Sequence, residues 1–155
     1  YDKENKILQK NPIEHNDLFV PPLDINDGNI PNGNSVSLLN CKKLEAITGN
    51  IKWKNMAKEL MKSFHSFLNL KSTQMVSYIK NMDMCEELTT FTFFGDIKII
   101  KELHQFVKKN YLKSSTLIYK EDVKENYLIV CKNQTCSNKI KSIEELKSVV
   151  TNYAI

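Results

Sequence analysis

All four prolines of this 155-residue chain, Pro12, Pro21, Pro22 and Pro31, fall within its first 31 residues, and none occurs from residue 41 onward. Proline removes a backbone donor and drives the residue before it out of the helical region. The chain is therefore expected to have two parts. Residues 1–40 read as an extended or partly disordered N-terminal arm, with turns at Asp27-Gly28 and Asn32-Gly33-Asn34. Residues 41–155 read as a single globular domain. The arm also carries Leu18, Phe19, Val20, Leu23, Ile25 and Ile30, more apolar surface than a solvated segment has reason to hold. These six are the candidate partner-binding residues.

Beyond residue 41 periodicity takes over. Trp53, Met56, Ala57, Leu60, Met61, Phe64, Phe67 and Leu68 recur at helical spacing, with Lys54, Lys58 and Lys62 on the opposite side. The pattern predicts a helix over 51–68, with Asn50 as its N-cap. A second helix is expected over 72–84, capped by Ser72, with Met75, Val76, Ile79 and Met82 as its stripe. The aromatic and β-branched run 88–94 favours a strand. Gly95 interrupts it, and Asp96 can cap a helix whose apolar face is Ile99, Ile100, Leu103, Phe106, Val107 and Tyr111. Residues 116–120 and 127–131 alternate as two strands joined by the charged turn 121–126. A last helix starts at Ser142, with Glu145 three residues on as a capping box and Ile143, Leu146, Val150 and Tyr153 as its face. The expected fold is α+β: a mostly helical bundle of three to four helices with a small antiparallel β element near the C-terminus.

The charge pattern narrows the partners. All 22 basic residues are lysine. Bidentate reading of guanine or phosphate needs a guanidinium, so no nucleic-acid partner is expected. Residues 1–40 hold three lysines against six acids, and residues 41–155 nineteen against twelve, an acidic arm on a basic body. No stretch approaches the apolar length of a membrane span. The first four residues, Tyr1-Asp2-Lys3-Glu4, are polar and lack a signal-peptide pattern. Abundant Asn and Lys with no Arg resembles the composition of proteins from AT-rich genomes such as those of malaria parasites, including secreted and surface proteins. That resemblance covers composition alone, and no motif identifies a family.

Candidate chemistry is sparse. Four glycines, none clustered, exclude phosphate-cradling loops, and no G-x-S-x-G or H-E-x-x-H motif occurs. Glu102 and His104 stand two apart and do not face each other on one helix. No catalytic residue, cofactor or metal is expected. The Met and Phe residues at 56, 61, 64, 67, 91, 93 and 94 could line an apolar-ligand pocket, but core packing accounts for the same residues without a ligand and is the favoured reading.

Cysteines at 41, 85, 131 and 136 lack zinc or thioredoxin-type spacing. Four polar residues separate Cys131 from Cys136, the size of a hairpin loop, so these two are the first disulfide candidate. Cys41 with Cys85 follows by elimination. Asn133-Gln134-Thr135 is an N-glycosylation triplet whose acceptor is Asn133. The expected function is non-catalytic: a secreted or surface-associated protein, extracellular or vacuolar, that binds another protein. The alternatives are an intracellular, cytoplasmic adaptor with reduced cysteines and a carrier of a small apolar ligand.

Overall fold

The computed structural model of the chain describes residues 6–9, 25–111, 115–121, 124–132 and 135–152. The chain divides into two compact units, Tyr1–Cys85 and Glu86–Ile155. The boundary lies at the C-terminal end of the third helix. Hydrophobic clustering gives the physical reason, because each unit buries its own set of side chains.

The first unit contains α1 (Gly33–Thr48), α2 (Ile51–Lys71), a 3-10 turn (Ser72–Gln74) and α3 (Val76–Glu86). Helix α1 corrects the expectation of an extended chain through residue 40. Asn32 has extended backbone and its side chain accepts a hydrogen bond from the Ser35 N–H at 2.8 Å, satisfying a donor that the first helical turn leaves unpaired. At the other end Gly49 takes φ 66° and its N–H closes on the Glu45 carbonyl, a left-handed stop. Leu38 and Cys41, one turn apart, enter the core. Helix α2 follows the expected pattern: Ala57, Leu60 and Phe64 are buried, and Asn50 accepts from the Lys52 N–H at 2.9 Å.

Helix α3 keeps Met75 and Met82 of its expected stripe on the packed side but not Val76 and Ile79. Tyr78 is buried, as is Met75 just before the helix, Met82 and Cys85 are partly buried against the same core, and Val76 is 61% and Ile79 40% exposed. Tyr78 wins the buried face because its ring stacks on Phe64 with centroids 4.8 Å apart, and its hydroxyl donates to the Met61 carbonyl. Ser72 does not cap this helix. It ends α2, and the α3 cap comes from a distant residue, Asp27.

The second unit holds β1 (Thr89–Phe94), α4 (Lys101–Asn110), β2 (Ser115–Lys120), β3 (Tyr127–Lys132), β4 (Thr135–Cys136) and α5 (Ile143–Asn152). The sheet order is β2-β1-β3-β4. Strand β1 pairs parallel with β2 and antiparallel with β3, so the sheet is mixed rather than antiparallel. The strands on either side of the charged turn do not pair with each other, since β1 lies between them. A parallel neighbour needs a crossover, and α4 supplies it. Thr89, Phe91 and Phe93 of β1 alternate into a core with Leu128, Val130, Leu103, Val107, Leu146 and Val150. Thr90, Thr92 and Phe94 point to the opposite face.

Gly95 is required where it stands. Its φ is 89°, and an added Cβ would lie 2.9 Å from the Glu125 carbonyl oxygen. Asp96 caps the turn at 97–100 through the Lys98 N–H, not α4, whose cap residue Ile100 makes no side-chain bond. Ile99, expected on the apolar face, is 67% exposed on that turn.

Candidate interaction surfaces

The polar centre of the first unit is built on Asp27. One carboxylate oxygen accepts from the Ser77 N–H at 2.7 Å, capping α3 across 50 residues of sequence. The other accepts from the backbone and side-chain N–H of Asn32 at 3.0 and 3.1 Å, and from the Ser77 hydroxyl. Ser35 and Ser77 hydroxyls lie 2.7 Å apart, and the Asn81 amide donates to the Ser35 carbonyl. Burial pulls the Asp27 carboxyl upward, but the Ser77 and Asn32 donors outweigh it and hold the group below the ordinary value of 3.8. A second clamp lies beside this centre. The side-chain amide of Asn34 accepts from the Leu8 N–H at 2.6 Å and donates to the Leu8 carbonyl at 2.8 Å, and Ile7 is fully buried.

Large apolar side chains next to these residues in sequence stay exposed. Ile30 lies between Asp27 and Asn32 and is 76% exposed. Val36 follows Ser35, Val76 precedes Ser77, and Ile79 stands one turn beyond Val76; all three are exposed. Ile25, by contrast, is 7% exposed and belongs to the core, so its reading as a partner-binding residue is corrected: the segment's own unit takes it. Ile30 keeps that reading. Leu18, Phe19, Val20 and Leu23 lie outside the described residues.

The second unit presents a clipped hairpin. Cys131 and Cys136 are directly opposed on β3 and β4, their Cα atoms 4.1 Å apart and their sulfurs bonded. That close approach suits a non-hydrogen-bonded pair, and the neighbouring pair carries the ladder: the Ser137 N–H donates to the Val130 carbonyl at 2.8 Å. Further along, Leu128 and Ile140 exchange two bonds of 2.9 Å. Between these anchors Ile129 alone opposes both Asn138 and Lys139, a β-bulge that ends the ladder. Thr135 and Cys136 are exposed, while Cys131 is half-buried. An open groove of about 420 Å³ runs between Ser137–Ile140 and Glu145, Ser148 and Val149 of α5. Asn133 lies outside the described residues.

No disulfide joins Cys41 to Cys85, which corrects the pairing inferred by elimination. Both thiols pack into the first unit's core, where Cys41 is buried and its burial pushes the thiol above its ordinary value. The Met and Phe set also divides. Met56, Met61, Phe64 and Phe67 serve one core, Phe91 and Phe93 the other, and Phe94 stacks on Tyr127 at 4.6 Å. Lys120 and Lys139 cover the outer faces of that ring pair, and Lys139 also meets Glu125 at 2.7 Å.

One contact had no signal in local spacing. His104 Nε2 lies 2.8 Å from the Tyr119 hydroxyl, with Phe93 edge-on to the imidazole and stacked on the phenol. The two residues come from α4 and β2, so only the crossover brings them together. Burial, then the nearby Lys108 charge, lowers the imidazole below its ordinary 6.5. Comparison of the chain with family models, curated proteins and solved structures returns no match.

Proposed function

We propose that this chain acts by binding another polypeptide, through the apolar side chains displayed beside the α1–α3 junction. The observation that carries this reading is the exposure of Ile30, Val36, Val76 and Ile79, each within a few residues in sequence of Asp27, Asn32, Ser35 or Ser77, which hydrogen-bond one another. An exposed apolar cluster on an ordered surface marks a contact that is completed by a partner. The Asp27 network ties the 27–32 segment to the start of α3, where Ile30 and Val76 lie, which would lower the ordering entropy that binding costs. No helix among the described residues is long and apolar enough to cross a membrane. The reading assigns no catalytic role to the chain and leaves both compartments open: a secreted or surface protein, or an intracellular complex subunit.

The test compares tagged wild-type chain with a Val76→Ser, Ile79→Ser double variant, each recovered from the source cell. Both substitutions lie on the exposed side of α3, so circular dichroism and melting should be unchanged. A polypeptide recovered in fixed ratio with the wild type and lost with the variant supports the reading. Equal recovery with both contradicts it.

A further inference from the structure

The Cys131–Cys136 bond sits where a structural staple has little to hold. Neither cysteine belongs to the core cluster of its unit. On β3 the core takes Leu128 and Val130, and Cys131 faces the other way. The ladder is already anchored at Val130–Ser137 and Leu128–Ile140, and among the described residues the Lys132–Thr135 pair alone lies beyond the bond. Both β4 residues are exposed, so no apolar burial holds that strand down. The bond closes a loop of five residues' separation, which constrains the unfolded chain little. Cys136 is the more exposed residue of the pair, the side from which a thiolate can approach.

We propose that Cys131–Cys136 is a thiol-exchange site: a dithiol reductant, small molecule or dithiol protein, opens it in the folded chain and releases the end of the β3–β4 hairpin. A reductant thiolate attacks Cys136 Sγ, forming a mixed disulfide and expelling Cys131 as a thiolate that takes up a proton. The reductant's second thiol, as thiolate, then attacks its own sulfur in the mixed disulfide and expels Cys136, which is protonated in turn. Two electrons and two protons pass to the protein, and the reductant leaves as its disulfide. The core beneath, from Leu128 and Val130 to Leu146, is untouched. What changes is the strand leading into Ser137–Ile140, one wall of the groove against α5. The clip therefore sets the order of the hairpin's end according to the redox state of its surroundings.

The experiment uses the full chain with its disulfide formed, without denaturant. Dithiothreitol is added, then iodoacetamide, and labelled cysteines are mapped by peptide mass spectrometry. Cys131 and Cys136 should both label while helical circular dichroism persists. Amide exchange should rise roughly tenfold or more within 131–137 and stay unchanged at 143–150, as expected for a local opening. A Cys131→Ser, Cys136→Ser variant should show the same exchange pattern without reductant. Two results would overturn the proposal: labelling of this pair only after denaturation, or unchanged exchange at 131–137 in both the reduced protein and the double variant.

Discussion

Three residues carry structural weight beyond their size. Asp27 joins three segments by accepting from Ser77 and Asn32. Its replacement by Ala should cost about 1–2 kcal/mol, the loss of a helix cap and its companion bonds, read as a shift in denaturant midpoint. Because its folded value is lowered, its contribution is full above the ordinary 3.8 and fades as pH falls through the lower folded value. The gap between wild type and Asp27→Asn should therefore narrow in strong acid; a constant gap would contradict the network. Gly95→Ala should destabilise by roughly 2 kcal/mol or more, since φ 89° and the Glu125 carbonyl oppose any Cβ. His104 should titrate below 6.5 by NMR, because burial favours the neutral ring. It thus adds stability that is complete above its ordinary value and declines as pH falls toward the folded one. A midpoint at or above 6.5 would place the ring in water.

At the scale of elements, the hairpin clip offers a direct measure. Loop-closure entropy for so short a loop gives about 2 kcal/mol, so reduction should lower stability by no more than that. A larger loss in chemical denaturation would mean that the bond supports the core. The elements also divide by how readable they were. Helix α2 was legible because its apolar residues are many and its N-cap is local. Helix α1 was not, since Gly33, Asn34 and Ser35 are poor helix formers and follow a proline. Its signal was the pair of ends, Asn32 as cap and Gly49 as stop. In α3 the stripe was read one residue off. Ile79 is more hydrophobic than Tyr78, yet the tyrosine can stack on Phe64 and satisfy its hydroxyl at Met61. Strand positions were legible from alternation, but strand order was not. Nothing in the alternation of Thr116–Lys120 and Tyr127–Cys131 says that β1 separates them.

For the whole molecule, the division at Cys85–Glu86 follows from two cores, each closed by contacts distant in sequence. A fragment of residues 86–155 should unfold cooperatively with its disulfide intact; a gradual, featureless melt would contradict an independent core. The candidate surfaces were legible in part. Cys131 and Cys136 were found by spacing, because hairpin geometry is local. Composition singled out Ile30, which is exposed, and equally Ile25, which packs in one core cluster with Leu38 and Tyr78. Val36, Val76 and Ile79 had no signal, since an exposed apolar residue on a helix looks like core until the packed face is known. On the proposed function, Ile30, Val36, Val76 and Ile79 meet another chain. A photo-crosslinking amino acid placed at Ile79, with a control at Lys58 on the exposed side of α2, tests it in the source cell. The account predicts a discrete crosslinked product with a second polypeptide from position 79 and none from position 58. Reaction at position 79 confined to the chain itself would contradict it.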